Sequence, residues 1–321
     1  MSHMVETMAY AGKTPWHGLG RKVKDGLSPD QMLKEAGLDW IVSKRPAYYK
    51  DTNAGKYHIS PDWNLLVRES DNTVLGPCGK NYTPIQNREV FKFFNKFCKA
   101  GDMFMDTAGS LDNGRQVWGL ANIRKGFTLP GGDDVEGHLL ISHPHIWGKA
   151  LTIMFTPIRV VCNNTLTMAL NDAKSNQRFR VAHVSEFSED VMSKAEHALG
   201  LADIQLAAFK EQSEYLAKKK YKEPKVEEFI ARLYQPSVAK DKSKLDKFNR
   251  TAKSIHELIA TQPGAKMSEG TWWSAFNAVT YHVDHISGND RSATLNSAWF
   301  GAKSVQKRKA LTMALEYAKA A

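Results

Sequence analysis

Apolar residues recur along this chain with two different periods, and the change of period divides it. In the first part, short apolar runs separated by Gly, Pro and Asn predict strands, with helices between them. Ser28-Pro29-Asp30 opens a short helix that Ala36-Gly37 closes, because serine caps orphan N–H groups and proline suits a first turn. Residues 63–68 predict a strand. Tyr82-Thr83-Pro84 leads into a helix over 86–99, with Val90, Phe94 and Phe97 at helical spacing and Phe91 and Phe93 widening the apolar face. Asp112-Asn113-Gly114 predicts a hairpin turn between strands over 103–111 and 116–123, since Asn and Gly tolerate positive φ. Further strands are predicted over 137–142 and 150–161. A helix is then expected near Asn163-Asn164, with Leu166, Ala169 and Leu170 as its apolar face. Helix, consecutive strands on short links, then helix describes an α+β fold: an antiparallel sheet with flanking helices.

From about residue 186 the pattern turns helical, which places an α+β domain over 1–185 and a helical domain with long basic helices over 186–321. Ser188 is the expected N-cap, with Glu189 and Asp190 at the positive helix end. Met192, Ala195, Leu199, Ala202, Leu206, Phe209, Ser213 and Leu216 follow in alternating steps of three and four. That is a coiled-coil-like seam along a helix of roughly 30 residues. Leu245, Phe248, Ala252, Ile255 and Ile259 repeat the pattern in a second helix, which Pro263-Gly264 ends. Such seams either pair within the chain or join subunits of a homo-oligomer.

Composition narrows the class. With 321 residues, 42% of them hydrophobic and 24% charged, the chain has material for a real core. No run approaches the ~20 apolar residues of a membrane-spanning helix, and Met1-Ser2-His3-Met4-Val5-Glu6 lacks the apolar stretch of a secretory leader. Cys78, Cys98 and Cys162 are odd in number and far apart, so they form neither a disulfide framework nor a Cys-x-x-Cys metal site. A reducing, cytoplasmic location is expected. The net charge is +10, and residues 218–253 hold twelve Lys/Arg against five Asp/Glu, a net of +7. A surplus of that density favours polyanions and salt-dependent binding.

Aromatic side chains beside cations in the strand-rich part sharpen the reading. Trp118 follows Arg115, Trp147 precedes Lys149, and Tyr82 follows Lys80. Rings on a strand platform can stack bases while cations hold the backbone. In 158–162, Arg159 projects opposite Ile158 and Val160, just before the expected helix start, where an arginine and a helix N-terminus make an anion pocket. Nucleic acid, single-stranded DNA first, is therefore the expected partner, with Arg115, Trp118, Lys149, Arg159, Lys247 and Arg250 as binding residues and no cofactor. Asn277, Tyr281 and Asp284 share a stripe of a helix over 272–285. With His285 and Arg291 they define an alternative, an enzyme acting on nucleotides or nucleic acid; a host-directed interaction protein is another. His282 and His285 beside Asp284, and His143 and His145 around Pro144, lack partners at metal-ligand spacing. There is no phosphate-binding Gly loop, no Gly-x-Ser-x-Gly and no His-Glu-x-x-His, and no carboxylate pair is specified as acid and base.

Five separated motifs carry a resemblance: residues 6–10 (Glu-Thr-Met-Ala-Tyr), 15–20 (Pro-Trp-His-Gly-Leu-Gly), 82–87 (Tyr-Thr-Pro-Ile-Gln-Asn), 159–166 (Arg-Val-Val-Cys-Asn-Asn-Thr-Leu) and 276–280 (Phe-Asn-Ala-Val-Thr). Through them nearly the whole chain resembles a phage/plasmid-related family filed under a domain of unknown function. The resemblance implies a phage or plasmid origin and a bacterial cytoplasm as workplace; it supplies no reaction and no catalytic residues. The order of elements is similar, in topology only, to single-strand annealing proteins of recombination, in which a hairpin and helix build an oligomeric ring with a basic groove.

Overall fold

The computed structural model describes residues 5–12, 19–101, 103–159, 164–165, 178–181, 189–234, 242–288, 297–298 and 301–320. The chain is α+β, with mixed and mainly antiparallel sheets in its first half and helices in its second. The strands are β1 (Val5–Tyr10), β2 (Arg21–Lys22), β3 (Val42–Lys50), β4 (Tyr57–Arg68), β5 (Thr73–Gly79), β6 (Phe104–Leu111), β7 (Gln116–Leu129), β8 (Asp133–Pro144), β9 (Leu151–Arg159), β10 (Asn164–Thr165) and β11 (Arg178–Val181). The large sheet runs β10-β9-β8-β7-β6-β1-β2, with β11 also on β9; β3-β4-β5 form a separate sheet. Among the described strands, only the short β1–β2 pair is parallel.

Local chemistry accounts for the elements that position these sheets. Helix α1 (Pro29–Glu35) starts at Ser28, whose hydroxyl accepts from Gln31 N–H while Gln31 Oε1 accepts from Ser28 N–H. Helix α2 (Asn87–Ala100) lays Val90, Phe91, Phe94 and Phe97 on the large sheet, where Val117 and Ala121 of β7 and Leu139 and Ile141 of β8 face it. Alternation sends Trp118 and Leu120 to the opposite face, into a smaller apolar cluster with Met8, Tyr10, Leu111 and Leu140. Asp112 and Asn113 both sit at φ 53° in the β6–β7 turn, as that hairpin requires.

The helical half comprises α3 (Glu189–Lys218), α4 (Glu223–Tyr234), α5 (Lys242–Thr261), a 3-10 turn (Ala265–Ser268), α6 (Trp272–Tyr281) with a π-turn (His282–Ile286) continuing it, and α7 (Ala302–Lys319). Helix α6 is apolar nearly all round because α3, α5 and α7 pack around it. It joins the sheet through Trp273, whose Nε1–H donates to Asp133 at the β7–β8 turn, 2.8 Å away. Beside that bond, Gly131 (φ +96°) lets the turn press on the 3-10 turn; a Cβ there would stand 2.1 Å from Met267 O. One apolar cluster continues from α2 and the sheet into α3, α4, α5, α6 and α7.

Several expectations need correction. Asn164 and Thr165 are strand, paired with Arg159 and Ile158, where a helix start was expected; Asn163, Leu166, Ala169 and Leu170 lie outside the described residues, as do Ser188, residues 15–18, Cys162 and Arg291. In the described part of α3 the seam packs within the chain: Leu206, Phe209, Ser213 and Leu216 are buried, with α3 against β7, α6 and α7. The side chains of Met192, Ala195, Leu199 and Ala202 lie outside the described set. In α5, Ile255 is buried whereas Leu245 is exposed, so its seam packs only towards the C-terminal end. Strands β1, β3 and β5 were not predicted at all.

Candidate nucleic-acid interface

The six residues singled out from the sequence separate in space. Arg115 closes the β6–β7 turn, exposed, 3.7 Å from Asp112. Its carbonyl accepts from His145 N–H, which brings it to the β8–β9 connection, where Lys149 N–H donates to Ile146 O. Arg115 and Lys149 thus share one end of the large sheet. Arg159 pairs with Val135 at the opposite end of β9, roughly 27 Å along the strand at ~3.3 Å per residue; its side chain lies outside the described set. Lys247 and Arg250 are exposed on α5. That helix packs on α4, α6 and the 3-10 turn, which reach the sheet at the β7–β8 turn, the end of β7 away from Arg115.

Trp118 is corrected outright. It is 2% exposed, its ring lies over Gly109 across the β6–β7 ladder, and a Cβ at Gly109 would meet that ring at 2.3 Å. Tyr82 is likewise buried, and burial raises its hydroxyl pKa. Neither ring can stack a base. Trp147, offered by the same kind of signal, is 53% exposed and makes an edge-to-face contact with Trp63, 40% exposed, at 4.9 Å.

Trp63 leads into the surface that sequence reading missed. Beyond a bulge between Pro46 and Tyr48, β3 and β4 continue as a two-stranded ribbon with Tyr48 opposite Ile59, Tyr49 opposite His58 and Lys50 opposite Tyr57. All six side chains are exposed, Tyr57 by 71%. Tyr48, Ile59, Lys50 and Tyr57 share one face; Tyr49 and His58 stack on the other, 5.6 Å apart. Asp51 fixes the tip: its carboxylate accepts from Asn53 N–H at 2.8 Å and its N–H donates to Lys56 O. The ribbon is anchored by Arg68 of β4, which is buried between Glu6 of β1 and Asp71, each 2.6 Å away, with Trp40 beneath it. Those carboxylates hold the Arg68 guanidinium further into its charged form, and Arg68 in turn keeps Asp71 well below the usual carboxylate range. Exposed rings therefore occupy both faces of the ribbon, Tyr48 and Tyr57 on one and Tyr49 on the other, and Trp63 of β4 meets Trp147 of the β8–β9 turn; Lys50, Lys56, Lys80, Arg115 and Lys149 are exposed on the ribbon, after β5 and at the β6–β7 and β8–β9 turns. Only the run Tyr48-Tyr49-Lys50 and the Lys56-Tyr57 pair signalled it, as aromatics adjoining cations.

The stripe proposed for an enzyme is interior. Asn277 donates to Trp273 O at 2.8 Å, and Asp284 accepts from Lys307 Nζ at 2.8 Å with both groups buried. His143 and His145 are buried too, their Nε2 atoms 3.0 Å from Ile85 O and 2.9 Å from Asn87 Oδ1, where they tie β8 to the start of α2. Among the described residues no three His, Cys, Asp or Glu side chains are arranged to hold a metal ion, and no helix is long and apolar enough to cross a membrane.

An α+β chain with an aromatic, cationic arm on its sheet defines a class by fold and surface only. Residues 74–314 match the family model DUF932, a domain of unknown function, and the chain belongs to that family. The match starts inside β5, so the β3–β4 ribbon precedes it. No curated protein and no solved structure matches the chain.

Proposed function

We propose that this protein binds single-stranded nucleic acid, DNA first, along the β3–β4 ribbon and the β8–β9 turn. One observation carries the reading: Tyr48 and Tyr57 are exposed with Lys50 on one face of the ribbon, Tyr49 is exposed on the other, Trp63 and Trp147 form an exposed pair, and Lys56, Lys80, Arg115 and Lys149 are exposed as well. Clustered exposed rings mark an interaction surface, and every base offers a face to stack on them. The phosphates then meet Lys50, Lys56, Lys80, Arg115 and Lys149. The arm favours single strands because a duplex keeps its base faces stacked inside. Annealing of complementary strands, assembly into a homo-oligomer and service to a phage or plasmid in a bacterial cytoplasm belong to the same proposal. They are supported by the motif resemblance and the charge surplus.

A labelled oligonucleotide titrated at several salt concentrations tests it. Binding is expected at ~50 mM salt and should weaken on a log–log line with added salt. Trp63→Ala and Trp147→Ala should each cost about 1–3 kcal/mol of affinity, as loss of a stacked base does. Undetectable binding at low salt, or full affinity in the double variant, rejects the reading.

A further inference from the structure

The basic run contributes a second, separate site. Between the end of α3 and the start of α4 the chain pairs with the residues before α6: Trp272 N–H donates to Lys219 O and Tyr221 N–H to Gly270 O, with Lys220 bridging Thr271. This pairing fixes Lys220 and Lys222 on the rim of a concavity of about 330 Å³, which Lys225, Arg232, Trp272, Glu316, Tyr317 and Ala320 complete. Trp272 and Tyr317 stack at 5.3 Å as its floor. Arg232 is held beside them, its Nη1 3.3 Å from Tyr317 Oη. Lys225 is paired with Glu228 at 2.8 Å, and Glu316 is the one carboxylate among the lining residues.

Four cations line one small concavity against the single carboxylate of Glu316, with Glu228 beside Lys225, so N–H donors and positive charge are in surplus there. An acceptor with more than one negative charge suits that surplus. A phosphate monoester has that chemistry, since it offers three oxygens and nearly two charges at neutral pH.

We propose that the Lys220, Lys222, Lys225 and Arg232 pocket binds a phosphate monoester, carried either by a free nucleotide or by the 5′ end of a strand. The pocket shares no residue with the ribbon, so it stands or falls independently of the stacking surface. Calorimetric titration with AMP, and with 5′-phosphorylated and 5′-hydroxyl oligonucleotides of one sequence on the Trp63→Ala/Trp147→Ala background, tests it. Saturable binding near one phosphate ester per chain is expected, with adenosine inert. Lys220→Ala/Lys222→Ala, two exposed positions, should weaken it at least about tenfold, as loss of charge-assisted bonds does. Tighter binding of the phosphorylated strand over its hydroxyl twin assigns the pocket to strand ends; AMP binding without that gain assigns it to free nucleotides. Absence of saturable binding by every phosphate probe, or undiminished affinity in the double lysine variant, overturns the proposal.

Discussion

The imidazole of His282 lies at the start of the π-turn, and burial with Lys303 nearby lowers its pKa to about 4 from an ordinary 6.5. An unfolded chain takes up that proton near pH 6.5, whereas the folded one refuses it until about pH 4. Between those values the unfolded state binds more protons, so stability is intact above the window and falls as pH drops through it. The loss amounts to roughly 3 kcal/mol over the whole window, at ~1.4 kcal/mol per unit. Urea midpoints measured from pH 7 to pH 4.5 should fall more steeply in the native sequence than in His282→Phe. Residue-scale burial is also where sequence reading was blind. Trp118 and Trp147 have the same local signature, a tryptophan close to a cation. The first lies in a central strand facing Gly109, and the second protrudes from a four-residue turn. What distinguishes them is the partner strand, which no local pattern contains.

Among the elements, those with their own start and stop chemistry were legible. The Ser28 capping box, the phenylalanine face of α2 and the Asp112-Asn113-Gly114 turn each specify their structure within a few residues. Strand β3 was not legible: from Lys44 to Lys50 it buries no side chain and shows no alternation, and it is a strand only because β4 lies beside it. Asn163-Asn164 misled because asparagine favours a cap and is depleted in strands, so the pairing of Asn164 with Arg159 runs against the local signal. The contact between the β7–β8 turn and the 3-10 turn hangs on one glycine. Gly131→Ala combines a positive φ with a Cβ inside Met267 O, and the backbone strain alone is worth about 1–3 kcal/mol. Thermal unfolding of that variant should start at lower temperature, whereas Gly132→Ala, where no atom lies within 4 Å of the added carbon, should pay only for its own φ of +83°.

At the scale of the molecule, the charge surplus was legible and its distribution was not. Arg115 and Lys149 stand at one end of the sheet, while the helix bearing Lys247 and Arg250 joins it at the other. On the proposed function, a single strand on the ribbon would meet the first pair and not the second. Arg115→Glu/Lys149→Glu should lower affinity and flatten the log–log salt slope by about 0.7 for each phosphate contact removed. Lys247→Glu/Arg250→Glu should leave the slope of a short oligonucleotide nearly unchanged. Equal loss in both variants would place the strand across the whole basic surface instead. The sequence patterns for α3 and α6 foretold helices correctly, yet could not say that a single apolar interior would run from α2 through the sheet to α7, because that continuity depends on which faces meet.

Beyond its Arg68 anchor the β3–β4 ribbon has water on both of its faces, where its own ladder and the Asp51 turn hold it. A lone pair of strands is marginal in water. Its amides should accordingly exchange hydrogen for deuterium through local opening, while those of α6, enclosed by three helices, wait for global unfolding. On the proposed function, a strand laid across the rings would supply a covering layer, and protection of Tyr48 to Lys50 and Tyr57 to Ile59 should then rise on adding an oligonucleotide while α6 stays as it was.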